Sequence, residues 1–265
     1  MTAAVTTAAA RGEDGVATST RHAVTLRGVT KRYAGEHGVL ALDGIDLQVH
    51  PGEFVCLVGA SGCGKSTLLN LVSGLDDVSS GEVGVDGHAA LMFQESALFP
   101  WLSALDNVAT PLRLKGVGRK DREARAREYL DVVHLGDFAD RRPHELSGGM
   151  RQRVALARTL ATQAPVLLMD EPFGALDAMT RDLLHDELES IWRERSLSVL
   201  FVTHNVREAV RLGDRVVLLS SRPGRIVKEY PVDITRPRRI EDSAVSTLSG
   251  EITHALREEV ARHGA

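Results

Sequence analysis

The sequence lacks several features that would set its class at once. It has only two cysteines, Cys56 and Cys63, too few for a disulfide framework or a cysteine-built zinc site, so a reducing compartment is the simpler setting. No apolar run approaches the ~18 residues of a membrane-crossing helix; stretches such as Val166-Leu167-Leu168-Met169 are strand length. Charge of one sign is also missing. Acidic residues outnumber basic ones 36 to 32, a net −4, which leaves no strong field toward nucleic acid or anionic lipid. There is no tandem repeat. Residues 1–21, rich in Ala and Thr with Glu13 and Asp14, lack the basic start and apolar core of a signal peptide and read as a disordered leader. What is present is an ordinary globular mixture, 43% hydrophobic and 26% charged in 265 residues, enough for one large domain with a small appendage.

Short apolar runs and helical patterns alternate from Ala23 to about Asp233. Val24–Leu26 and Ile45–Val49 alternate apolar and polar residues, predicting half-exposed antiparallel strands. Phe54–Val58, Val166–Met169, Val199–Val202 and Val216–Leu219 are continuously apolar, as strands buried on both faces of a parallel sheet are. Helical patterns fall at Ser66–Ser73, Glu123–Val133, Met150–Thr162 and Arg181–Arg195. The fold class is therefore α/β, with a mostly parallel core sheet and a small antiparallel portion at its start. After Thr235, Arg236-Pro237-Arg238-Arg239 reads as a break. A helix is predicted from about Glu241 to Arg262, with Ile252, Leu256 and Val260 as its packing face.

Directly after the first buried strand stands Gly59-Ala60-Ser61-Gly62-Cys63-Gly64-Lys65-Ser66-Thr67. It satisfies G-x-x-x-x-G-K-[ST], with a strand before and a helix after. Glycines let backbone N–H groups turn inward around an anion, and the helix N-terminus adds partial positive charge. Lys65 is placed to reach the β- and γ-phosphates of a nucleotide, and the Ser66 hydroxyl to ligate Mg²⁺. Only five of the 32 basic residues are lysine, and a compact ammonium fits between phosphates where a planar guanidinium does not.

A second buried strand ends Leu168-Met169-Asp170-Glu171-Pro172. Successive strand side chains point to opposite faces, so the two carboxylates are expected to differ. Asp170 is assigned to the metal and Glu171 to an attacking water, as its base. Other polar residues fall at strand ends or helix starts, where open α/β sheets bind ligands. Gln94 follows Leu91-Met92-Phe93, Ser147-Gly148-Gly149 opens a helix, Asp177 closes Gly174-Ala175-Leu176-Asp177, and His204 follows Val199–Val202. Alone, His204 reads more readily as a satisfied, partly buried histidine; the order and spacing of the set carry its weight.

On these residues the chain resembles the ATP-binding subunit of an ABC transporter. The likeness runs from Tyr33 to His204 in motifs and to about Asp233 overall. Gly59 to Ser66 look like the Walker A motif, Gln94 the Q-loop glutamine, Leu146 to Met150 the signature, Val166 to Glu171 Walker B, Asp177 the D-loop aspartate and His204 the switch histidine. Met150 stands where Gln is commonest, while Ser147 and Gly149 are intact. The resemblance implies a P-loop ABC ATPase domain over residues 22–235, with an antiparallel β-subdomain and a helical subdomain at about 95–160, and a C-terminal tail over 236–265. It implies ATP and Mg²⁺ as cofactors. Tyr33 stacks on adenine, Gly59, Ala60, Ser61, Gly62, Cys63, Gly64, Lys65, Ser66 and Thr67 hold phosphate, and Ser147, Gly148, Gly149 and Asp177 complete the site from a second copy. Ser66, Gln94 and Asp170 serve the metal, and Glu171, His204 and Gln94 the catalysis.

One copy of each motif implies a homodimer formed on nucleotide binding. Without a membrane span, transport implies two separate permease subunits at the cytoplasmic face of the membrane, an extracytoplasmic solute-binding protein acting indirectly, and no nucleic acid. Leu98, Phe99 and Trp101 form either an apolar groove wall for a permease helix or part of the subdomain core. Met92 to Glu95, Phe99-Pro100-Trp101, Asp106-Asn107-Val108 and Ser221 to Ile226 resemble the nitrate/sulfonate/taurine importer branch. The short stretch between Gly81 and Gln94 is most like aliphatic sulfonate importers. The alternative is a soluble ABC-type ATPase acting on nucleic acid or the ribosome.

Overall fold

The computed structural model describes residues 22–35 and 38–263; the expected leader, 1–21, lies outside them. Two long antiparallel strands come first, β1 (Val24–Tyr33) and β2 (Val39–Val49). They extend well past the stretches expected from alternation. Gly28 and Gly44 take positive φ, and register shifts after Leu26, Val29 and Lys31 break the period-two pattern. Next are β3 (Phe54–Val58), α1 (Lys65–Ser73), β4 (Ser80–Val85) and β5 (Ala89–Met92). Three helices follow, α2 (Ala104–Leu114), α3 (Arg119–Val132) and α4 (Gly148–Ala161). The chain then runs through β6 (Val166–Asp170), α5 (Ala178–Arg195), β7 (Ser198–Val202), α6 (Val206–Leu212), β8 (Arg215–Leu219), β9 (Ile226–Pro231) and α7 (Ser243–His263). Among the described residues, no helix is long and apolar enough to cross a membrane.

The strands form two sheets: an antiparallel one ordered β2-β1-β4, and a six-stranded one ordered β5-β6-β7-β3-β8-β9. The larger sheet is parallel except where β9 joins β8. Its strands divide their side chains between two cores by parity. Phe54, Cys56, Val58, Leu167 and Met169 pack with α2 to α7, whereas Val55, Leu57, Val166 and Leu168 pack with α1 and the small sheet. Burial on both faces explains the continuously apolar runs. The same parity puts Asp170 on the side of Leu168, toward α1.

Two expectations are corrected at the C-terminal end. The basic stretch is not a break. Arg238 is buried, and its guanidinium donates to the carbonyls of Ile234 (2.7 Å), Val210 (3.0 Å), Gly213 (2.5 Å) and Val232 (2.9 Å). Arg236 pairs with Glu189 at 3.2 Å and Asp214 at 2.9 Å and lies 4.5 Å from the Trp192 ring. The stretch is a strap laid over the end of α6, the turn before β8 and the side of α5. On α7, Val245, Ser249, Ile252 and Glu259 are buried, while Val260 is 44% exposed. A four-residue spacing drifts about 40° per step around a helix of 3.6 residues per turn, so Val260 has left the buried stripe.

Candidate nucleotide site

Residues from β1, β2, the β3–α1 loop, the start of α1, the segment after β5, the end of β6 and the β8–β9 turn line one cleft of about 320 Å³. The loop's shape follows from its glycines. Gly64, with φ +99°, caps α1, and a Cβ there would stand 2.6 Å from Leu42 and 2.9 Å from the Ala41 carbonyl. Lys65 is buried, and its Nζ donates to the carbonyls of Gly59 at 2.8 Å and Ala60 at 3.0 Å. The ammonium is thus already held where the loop curls. Ser61, Gly62, Gly64, Ser66 and Thr67 also line the cleft. Cys63 is buried behind it, with Sγ 3.7 Å from Lys65 Nζ.

Asp170 ends β6 on the wall of this cleft. Burial pushes its carboxyl above the usual aspartate range and Glu171 adds to this, while a hydrogen bond with Ser66 and the charge of Lys65 pull it back. A hard cation supplied with phosphate oxygens is what such a pair accepts: one hydroxyl, one carboxylate and a neutral amide oxygen on Gln94 suit Mg²⁺, which takes few protein ligands. No cluster of three or more His, Cys, Asp or Glu that could hold a metal occurs among the described residues.

Glu171 requires a correction. It lies just past β6 rather than on it, with φ +47°, so strand alternation does not separate it from Asp170; a left-handed backbone step does. Non-glycine residues in this region carry about 1–2 kcal/mol of strain. The result is a carboxylate whose Oε2 lies 3.1 Å from His204 Nδ1 and 3.4 Å from Gln94 Nε2. Gln94 is tied through its carbonyl to Gln152 of α4 at 3.2 Å. The turn bearing His204 rests on groups that the sequence did not single out. Thr203 hydrogen-bonds to buried Glu208, which lies 2.8 Å from His185 Nε2, and His185 Nδ1 meets Arg211 at 2.9 Å.

Tyr33 lines the cleft and is 39% exposed. Its hydroxyl donates to Asp76 at 3.0 Å, Lys31 donates to the same carboxylate at 2.5 Å, and the Lys31 ammonium lies 4.9 Å from the ring centroid. That ammonium's hydrogen bond holds the Asp76 carboxyl below its ordinary range. Arg222 of the β8–β9 turn, together with Val39 and Ala41, also faces the cleft and was not foreseen as part of it. Its Nε is 3.4 Å from the Gly62 carbonyl, a contact across 160 residues that no local pattern announces. Ser147, Gly148, Gly149 and Asp177 are not on this cleft. Ser147 caps α4, accepting from the Met150 amide at 3.2 Å, and Asp177 caps α5, accepting from the Thr180 amide at 3.0 Å.

Residues 42–174 match the family described as ABC transporter. The chain belongs to that family. This ABC chain is 49% identical over 211 residues to the nitrate import ATP-binding protein of Synechocystis sp., which covers 76% of this chain and 79% of that protein. It is 46% identical over 243 residues to the taurine import ATP-binding protein of Burkholderia thailandensis, covering 87% and 94%. A solved dimeric ATP-binding cassette in a post-hydrolysis state with ADP and Pi superposes with a TM-score of 0.75 at 35% identity, over 80% of this chain and all of that one. The expected fold class, a P-loop ABC ATPase with a mainly parallel core sheet and a small antiparallel one, is borne out, as is the nitrate/sulfonate/taurine importer branch, through relatives named for nitrate and taurine. An ATPase acting on nucleic acid or ribosomes finds no support among these relatives.

Proposed function

We propose that this ABC chain is the ATP-hydrolysing subunit that drives uptake of a small anion or organosulfur solute (nitrate, taurine or an aliphatic sulfonate) through two separate permease subunits. The observation that carries the reading is the Glu171 carboxylate, held between Gln94 and His204 at the cleft containing Lys65 and Asp170. Lys65 leaves its loop carbonyls to meet the β- and γ-phosphates, and Tyr33, braced by Asp76 and Lys31, stacks on adenine. Such a stack is worth about 1–3 kcal/mol by analogy with nucleic-acid sites. Ser66 and Asp170, with Gln94 beside them, would hold Mg²⁺, which when bound would supply charge neutralisation at the phosphates. Glu171 takes the proton of the attacking water and His204 orients it. Changing Glu171→Gln is expected to keep ATP binding and lower turnover about 10²–10⁴-fold, as losing a general base does; a phosphate-release assay beside an ATP-binding titration measures both.

Ser147 and Gly149 stand at a helix N-terminus away from the chain's own cleft, so a second copy supplies them to it, and the chain works as a nucleotide-bound dimer. Docking falls to the segment after Gln94. Leu98 packs on the core, whereas Phe99 is 37% and Trp101 68% exposed, their rings 5.6 Å apart. A permease helix covers them, the chain sits peripherally at the cytoplasmic face, and a solute-binding protein delivers cargo outside. Purification from native membranes is expected to bring down two multi-span proteins. Recovery with ribosomes or DNA instead removes the transport reading.

A further inference from the structure

A second cavity, of about 530 Å³, opens at the start of β6, whereas the nucleotide cleft lies at that strand's end. Its volume falls within the roughly 300–1,000 Å³ of small-molecule sites. One wall is the face of α3 that carries Arg125, Glu128, Tyr129 and Val132, spaced as one helical stripe. The rest comes from the C-terminal ends of α4 and α5 and the first turns of chain after them.

The polar groups on this lining are mostly donors. Tyr129 is buried, 6% exposed, and its hydroxyl accepts from Arg195 Nη1 at 3.1 Å and from Gln163 Nε2 at 3.4 Å. A phenol oxygen that accepts twice still has its proton to give, and among the described residues no acceptor takes it. The Arg195 guanidinium lies 5.2 Å from the centroid of the same ring, which fixes the fork in place. Neither Arg195 nor Arg125 is paired with a carboxylate among the described residues, and Glu128 is the one acid on the lining. The remaining surface is apolar, chiefly Leu160, Leu167 and Leu197. An inorganic anion would leave that surface wet, and a neutral hydrocarbon would make no use of the Arg195 guanidinium, which is exposed and otherwise meets Tyr129 and water. Both halves are satisfied by one ligand with an anionic head and a short hydrocarbon body.

We propose that this cavity binds a small amphiphilic organic anion, with its carboxylate or sulfonate head against Arg195 and the Tyr129 hydroxyl and its chain along the leucine wall. The site is separate from the nucleotide cleft and does not depend on how that cleft works. The test is titration calorimetry on the full chain with saturating Mg-ADP, so that the phosphate loop is filled and cannot accept the probe. The probes are hexanesulfonate, hexanol and inorganic sulfate. Hexanesulfonate is expected to bind one per chain, about tenfold or more tighter than either fragment, because only it uses both the charged and the apolar halves. Arg195→Gln is expected to weaken it about tenfold, the scale of one charge-assisted hydrogen bond, and Tyr129→Phe several-fold, with each variant's melting temperature recorded so that a general loss of folding is told apart from a loss of binding. Arg195→Lys keeps the charge but not the fork and should fall between, so the series stands even if one variant folds poorly. Equal binding of hexanesulfonate and hexanol, affinity indifferent to Arg195→Gln and Arg195→Lys, or no binding at concentrations where sulfate also fails, would overturn the proposal.

Discussion

Asp170 is charged at a cost to the empty fold. Its carboxyl is raised by burial first, so between the ordinary aspartate value and the raised one the folded state holds a proton that the unfolded state has released. Stability from this group therefore falls as pH rises through that window. Asp170→Asn is expected to raise the melting temperature of the nucleotide-free protein at pH 7 and to abolish magnesium-dependent hydrolysis. Calorimetric melting at pH 4 and pH 7 checks the first part, since the gain should shrink at the lower pH, and a phosphate assay checks the second. Lys65, Asp170, Glu171 and His204 were legible because each sits in a short motif at a strand end, where local order dictates position. The mount of Tyr33 was not. Lys31 and Asp76 lie 45 residues apart in sequence, and only the pairing of β1 with β4 brings them together.

At the scale of elements, the β8–β9 turn acts as a brace behind the phosphate loop. Gly224 donates to the Ala41 carbonyl at 2.9 Å and accepts from the Asp43 amide at 3.0 Å, and a Cβ on it would stand 2.2 Å from the Cys63 carbonyl. Backbone on both sides cannot give way as a flexible side chain would. Gly224→Ala is expected to cost about 1–3 kcal/mol, the usual penalty for overpacking, and to weaken ATP binding as the loop shifts; thermal melting with an ATP-binding titration measures the two effects. The buried strands were legible by their unbroken apolar runs. Helix α2 was not read as a helix, because Pro111 interrupts its interior, although Ser103 capping the Asp106 amide at 3.0 Å is the kind of start that sequence can show. β4, Ser-Gly-Glu-Val-Gly-Val, has no fully buried side chain and only Val83 and Val85 to mark it, so its hydrophobic signal is weak; its place comes from β1.

For the whole molecule, the decisive fact is that the cleft and the cap of α4 do not meet within one chain. Light scattering on the Glu171→Gln protein is expected to show a dimer with Mg-ATP and a monomer without nucleotide; a monomer under both conditions would sink the two-chain site. The fold class was legible through the motif order, whereas the C-terminal strap was hidden because arginines beside a proline look like solvated linker. Arg238 instead saturates acceptors at the end of α6, the helix that starts two residues after His204. The strap over residues 236–239 thus anchors the helix that follows the His204 turn. Removing the Arg238 anchors would free the end of α6 and loosen the turn on which His204 stands.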